Sequence, residues 1–152
     1  MRSTATLAIS IVLAASALPL WAGGPDNKPF DMDTIQALET RASQAQPRDQ
    51  CFLYAELVHQ MTEVSMKQYA AGDVDKAAGL LKRVQEMAQK IHLSMGVDDK
   101  RLKNAELLLS HTAFRLNELL HSSSYEDRPL VEAALTDVNQ AQNEAMMQVF
   151  KK

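Results

Sequence analysis

Apolar residues recur at intervals of three and four along most of the chain, which is the spacing of one face of a helix. The pattern is most regular in two stretches, 74–95 and 102–119. Their repeating positions are Val74, Ala77, Leu81, Val84, Ala88, Ile91 and Met95, then Leu102, Ala105, Leu109, Thr112, Leu116 and Leu119. The sequence has no alternating strand-like run and no Asn-Gly hairpin, so the pattern predicts an all-α fold.

Three further stretches have apolar faces of the same kind. The inner faces of the two long ones are Tyr54, Leu57, Val58, Met61, Val64, Ser65 and Tyr69, then Val131, Ala134, Val138, Ala141 and Ala145. A short stretch near the start contains Ile35, Leu38, Ala42 and Ala45. The chain is therefore predicted to form one short helix and four main helices.

Helix boundaries follow from capping and helix-breaking residues. Asp33, with Gln36 three residues later, is typical of a helix start, and Pro47 ends this first helix because the residue before a proline avoids helical geometry. We place the second helix from Asp49 to Ala71. The later boundary signals, in chain order, are Gly72 with Asp73, Gly96 with Asp98 and Asp99, Ser122 to Ser124, and Pro129. Short turns at Gly72 and Gly96 predict an up-down antiparallel bundle with the short first helix laid against it.

Residues 1–22 have the pattern of a secretory signal peptide. Arg2 supplies a positive start, an uncharged stretch runs from Leu7 to Leu20, and Ala22 is a small residue at the expected cleavage point. The stretch is shorter than the roughly 20 residues that a membrane-spanning helix needs. An uncleaved anchor is the alternative, and the only membrane contact expected is through this segment. We therefore expect a periplasmic or secreted protein.

The rest of the chain divides into a linker and one domain. Residues 23–32 contain two glycines and two prolines and are expected to be a flexible linker, and residues 33–152 a single helical bundle domain. The formal net charge is −3, and no basic cluster is present. This argues against nucleic acid and anionic lipid as partners. A single cysteine excludes a disulfide framework.

The turn at residues 69–77 resembles that of a tetratricopeptide repeat. Gly72 and Ala77 match the glycine and the packing alanine of that family, and Ser65 and Leu81 fit its small and large apolar positions. Met61 stands where a tryptophan is common in the family. The resemblance covers residues 58–91, without a second copy, and it implies a protein-interaction scaffold.

Two Glu-x-x-His motifs, Glu56 with His59 and Glu118 with His121, resemble half of the ligand set of a ferritin-like di-iron site. Glu39 and Glu86 could complete the set. In an up-down bundle, however, the two motifs would lie roughly 20 Å apart along the helices. Glu86 is predicted to face solvent. The alternative interpretation, surface Glu–His pairs, is therefore the expectation.

A second candidate site consists of Cys51, His92 and Met95, which reach the same end of the predicted hairpin about Gly72. Thiolate, imidazole and thioether ligands suit copper. The alternative is that Cys51 and Met95 are ordinary core residues. A single cysteine in an exported protein can also form an intermolecular disulfide. Both this disulfide and metal binding need an accessible Cys51 thiol.

No catalytic motif stands out. The sequence lacks a Gly-x-Ser-x-Gly elbow, a glycine-rich phosphate loop and a haem attachment motif. The main hypothesis is an exported helical binding or scaffold protein without catalytic activity or cofactor, acting on a protein partner or by self-association. The alternative is a periplasmic metal-binding protein, for copper or iron, or a redox protein.

Overall fold

The computed structural model describes residues 31–96 and 101–151. This part of the chain forms five α-helices and no β-strand. The helices are α1 (Met32–Gln44), α2 (Pro47–Ala70), α3 (Val74–Ser94), α4 (Leu102–Ser122) and α5 (Arg128–Phe150). The predicted all-α class is confirmed. The predicted signal peptide, and the predicted linker up to residue 30, lie outside the described residues.

The first two helices begin earlier than the sequence predicted. Asp31 caps α1, because its extended backbone lets its carboxylate accept a 2.8 Å hydrogen bond from the Thr34 amide. The predicted cap Asp33 lies inside the first turn of α1. Pro47 does not simply end α1; it opens α2. Proline suits a first helical position because its fixed φ is helical and its missing N–H has no partner there.

The turn between α2 and α3 has the predicted glycine geometry. Gly72 has a φ of 83°, in the left-handed region. The amide of Gly72 donates to the Tyr69 carbonyl, and the amide of Asp73 donates to the Gln68 carbonyl at 2.9 Å, which is a Schellman ending. Asp73 is the N-cap residue of α3, but its side chain makes no capping hydrogen bond and its carboxylate lies 3.5 Å from Lys76 Nζ.

The predicted apolar faces form one core. Every predicted inner residue of α4 and α5 is buried. In α3 the buried set also includes Leu80 and Met87, whereas Val74 is exposed and Met95, just after the helix, is half-buried. α2 is buried on most of its circumference because α1, α3 and α4 all pack against it.

The helices pair differently from the prediction. α2 packs against α3 and α4, and α5 packs against the same two helices, but α3 and α4 make no packing contact with each other. The prediction that the turn at Gly96 makes α3 and α4 neighbours is therefore wrong. Seven residues separate the end of α3 from the start of α4, and a chain of that length can reach about 20 Å.

The two helical hairpins, α2–α3 and α4–α5, lie side by side in the same orientation. His59 of α2 contacts Thr112 of α4, and Glu63, one turn later, contacts Arg115. The residue numbers of α2 and α4 increase in the same direction from one contact to the next, so the two helices are parallel. His92 of α3 contacts Glu144 of α5, which follows it by 52 residues. This is almost the same separation in sequence as the 53 residues between His59 and Thr112.

Two glycines offer opposite tests of this geometry. Gly72→Ala should lower the free energy of unfolding by about 1 kcal/mol, because a Cβ strains the left-handed conformation. Gly79→Ala, within α3, should raise it by about 1 kcal/mol, because alanine is the better helix former and no atom lies within 4 Å of the added Cβ. Urea unfolding of both variants measures the two effects. A neutral Gly72→Ala or a destabilising Gly79→Ala would contradict the assignment.

Candidate functional site

The structure separates the three residues of the predicted thiol-containing site by burial. Cys51 is 1% exposed and belongs to the core. Met95 packs, half-buried, against that core. The His92 side chain is 58% exposed. A thiol at the depth of Cys51 reaches a metal or a second thiol only if the surrounding helices move.

His92 instead forms a polar pair with α5. Its Nδ1 lies 2.5 Å from Oε2 of Glu144, and the other carboxylate oxygen accepts a 3.1 Å hydrogen bond from Gln140 Nε2. The His92 hydrogen bond is the main reason why the pKa of Glu144 is lowered, against the opposing effect of burial. Glu144 therefore stays ionised and fixes the orientation of the His92 ring.

This pair borders a cleft of about 250 Å³ between α3 and α5. The cleft is lined by Ala88, Gln89, His92, Leu93, Asp137, Gln140 and Ala141. Burial raises the pKa of the Asp137 carboxyl. A carboxylate that orients a histidine is a frequent arrangement behind metal-binding and proton-transferring imidazoles, so His92 is the best-positioned reactive group of this cleft.

The two Glu-x-x-His motifs do not meet. His59 lies level with Thr112, and His121 lies nine residues further along α4, which is about 13 Å on a helix. Glu118 is bonded to Arg115. The remaining predicted ligands are also apart, since Glu39 pairs with Arg83 at 2.5 Å and Glu86 is exposed. Among the described residues, no three His, Cys, Asp or Glu side chains are grouped so that they could hold a metal ion.

A polar network joins α2 to α4 at His59. Thr112 Oγ1 donates its proton to the Leu108 carbonyl at 2.8 Å, so it must accept the 3.0 Å hydrogen bond from His59 Nδ1. This assigns the proton of the neutral ring to Nδ1. The His111 ring lies beside it, with 5.2 Å between the ring centroids.

Arg115 forms the charged part of the network. Its Nε and Nη2 donate to the two carboxylate oxygens of Glu63 at 2.7 and 3.2 Å, and its Nη1 donates to Glu118. Burial acts to raise the pKa of Glu63, but the hydrogen bonds and charge of Arg115 outweigh it and the pKa is lowered. The Arg115 pKa is raised, first by its hydrogen bond to Glu63. The arrangement is a bidentate clamp between α2 and α4.

Sequence reasoning missed most of these partners. Asp137 and Glu144 stood in no motif, and Thr112 was counted only as a member of an apolar face. A hydroxyl at an inner helix position is a usable signal, because a buried hydroxyl needs a hydrogen-bond partner. The identity of that partner, His59, could not be read from spacing within either helix.

Comparison with protein-family models, curated proteins and solved structures gave no significant match. Within the described ranges, no helix combines the length and the apolar composition that a bilayer crossing requires.

The His59 environment predicts a pH effect on stability. Burial is the main cause that lowers the pKa of His59 from 6.5, so the unfolded chain takes up this proton at a higher pH than the folded protein does. The free energy of unfolding should therefore increase with pH over a window whose upper end lies near pH 6.5. In His59→Asn this part of the pH dependence should disappear in urea unfolding at a series of pH values. Equal slopes for wild type and variant would contradict the assignment.

Proposed function

We propose that the chain is an exported helical binding protein that recognises an amphipathic helix of a partner protein along the outward face of α4. The observation that carries the proposal is the exposure of two large apolar side chains on that face. Leu107 is 57% exposed and Phe114 is 60% exposed. The proposal does not assign a catalytic activity to the protein.

The spacing of these two residues supports a helical partner. They are seven residues apart, so they lie above one another, two turns apart, on the side of α4 opposite its buried residues. An amphipathic helix presents apolar anchors at the same interval. The end of α5 adds exposed Met146, Met147 and Phe150 to the apolar surface of this hairpin.

The resemblance of residues 58–91 to a tetratricopeptide unit supports the same function. Two residues that carry it meet across the hairpin, where Ser65 Oγ donates a 3.1 Å hydrogen bond to the Ala77 carbonyl. Helical repeats of this kind bind protein segments on the faces of stacked hairpins.

Export is supported by the signal-like sequence of residues 1–22. We propose a periplasmic or secreted location. Fractionation together with the intact mass of the purified protein reports both the location and cleavage after Ala22.

The partner surface predicts a selective loss of binding. Protein carrying Leu107→Lys and Phe114→Lys should lose, by at least tenfold, the stoichiometric partner that the wild type retains, because both anchors become charged. Native mass spectrometry of complexes purified from the exported fraction measures this. A second copy of the chain as the retained species would identify self-association and overturn the proposed partner helix.

The matched control carries Gln36→Lys and Ser43→Lys, which add the same two charges at exposed polar positions seven residues apart on α1. It should bind as the wild type does. Circular dichroism checks that all variants keep their helix content. Equal retention of the partner by the α4 double variant and the control would contradict the proposal.

A second candidate function is metal binding at His92. The observation that favours it is the Glu144 carboxylate 2.5 Å from His92 Nδ1, which leaves Nε2 as the nitrogen for a copper or iron ion. The remaining ligands would be water or groups of a second molecule, since the described residues hold no group of three His, Cys, Asp or Glu side chains. In this case protein from a metal-replete periplasm should contain stoichiometric copper or iron, and His92→Ala should lose it. His121→Ala, at an exposed histidine, should keep it. Metal-free wild type, or metal retained in His92→Ala, would exclude this candidate.

A further inference from the structure

A larger cleft, of about 640 Å³, shares no lining residue with the outward face of α4. It is formed by the last turns of α1, the start of α2 and the residue before α4. Its lining is Ala37, Thr40, Arg41, Gln44, Ala45, Gln46, Asp49, Phe52, Leu53 and Arg101. A volume of this size accommodates a small organic molecule.

The side chain of Arg101 is held at the cleft by stacking on the Phe52 ring. The carbon at the centre of its guanidinium lies 3.4 Å from the centroid of the Phe52 ring. Stacking uses the flat face of the guanidinium and leaves its N–H edge available to an acceptor. Phe52 therefore presents Arg101 in a defined orientation and restricts its side chain before any ligand arrives.

The described residues of the lining carry more positive than negative charge. Within residues 31–96 and 101–151, three arginines have a carboxylate within 4.0 Å, namely Arg48, Arg83 and Arg115. The other three, Arg41, Arg101 and Arg128, have none there, and the first two of them line this cleft. The one acid of the lining, Asp49, lies 4.0 Å from Arg48. Two guanidinium groups without a carboxylate partner among the described residues thus line one cleft in a chain of net charge −3.

The uncharged residues of the lining supply apolar and amide groups beside the two arginines. Phe52 and Leu53, with two alanine methyl groups, supply apolar surface, whereas Gln44 and Gln46 supply amide groups. Guanidinium groups bind carboxylate and phosphate through paired hydrogen bonds. With only two cations, the site suits a compact dianion and not the long charged backbone of a nucleic acid.

We propose that this cleft binds a small dianion, a dicarboxylate or a phosphate, between Arg41 and Arg101. The site shares no residue with the outward face of α4 and does not depend on the function proposed for that face. Arg41 and Arg101 supply the charge, and Phe52 fixes the position of Arg101.

The test is a titration of the isotope-labelled full mature chain with succinate and, separately, with inorganic phosphate, at constant ionic strength. Saturable NMR shifts centred on Phe52, Leu53 and Arg101 are expected with at least one of the two probes. Response to succinate alone identifies a dicarboxylate site, and response to phosphate alone identifies a phosphate site. Absence of saturable shifts with both probes, or the same shifts with chloride, overturns the proposal.

Variants separate binding from a structural role of the arginines. Arg41→Ala and Arg101→Ala should each weaken binding roughly tenfold, because each removes a charge-assisted pair of hydrogen bonds. Arg128→Ala, at an exposed arginine of α5, is the matched control and should bind as the wild type does. Unchanged affinity in both cleft variants, with helix content intact, overturns the proposal.

The stacked geometry has its own test. Arg101→Lys keeps the charge but loses the planar fork, so binding should weaken roughly tenfold. Phe52→Leu keeps an apolar side chain and removes the stacking surface, and it should weaken binding in the same direction. Wild-type affinity in Arg101→Lys would overturn the paired-hydrogen-bond site.

Discussion

The burial of α2 between three other helices is the constraint on which the rest of the structure depends. Its side chains are buried around most of the helix, so its polar groups need partners inside the protein. Some find them and others, such as Gln60 Oε1 and Gln68 Oε1, do not. Thr62 Oγ1 donates to the Val58 carbonyl, and Ser65 Oγ donates across the hairpin to α3. Where the circumference of α2 approaches solvent it is occupied by His59, Glu63 and Phe52. His59 bonds to Thr112 of α4, Glu63 holds Arg115 of α4, and Phe52 stacks on Arg101, the residue before α4.

The two clefts have a common origin in this packing. Helices of unequal length and different partners leave gaps where one helix ends against the side of another. α1 ends beside the first turns of α2 and leaves the arginine-lined cleft. Ala88 of α3 and Ala141 of α5 have small side chains, which leaves space between these helices beside His92.

The sequence was sufficient for the helices and insufficient for their arrangement. Intervals of three and four identify the face of α4 that contains Leu109 and Leu116, because that spacing depends on one helix alone. They do not say which other helix covers the face, and so the contact between α3 and α4 was predicted wrongly. The His59–Thr112 and His92–Glu144 contacts join residues 53 and 52 positions apart. Motif spacing pairs Glu56 with His59, but the partner of His59 comes from the second hairpin.

The single connection between α3 and α4 has a consequence for assembly. Each hairpin closes through a short local turn, whereas the hairpins are joined to each other only by the segment between Ser94 and Leu102. If that segment extended, the α4–α5 hairpin of one molecule could dock on the α2–α3 hairpin of another and make the contacts of the closed monomer. A swapped dimer is thus reachable without any new interface. The exchange would carry Arg101 to the cleft of the second molecule, so that each binding site in such a dimer would be built from two chains.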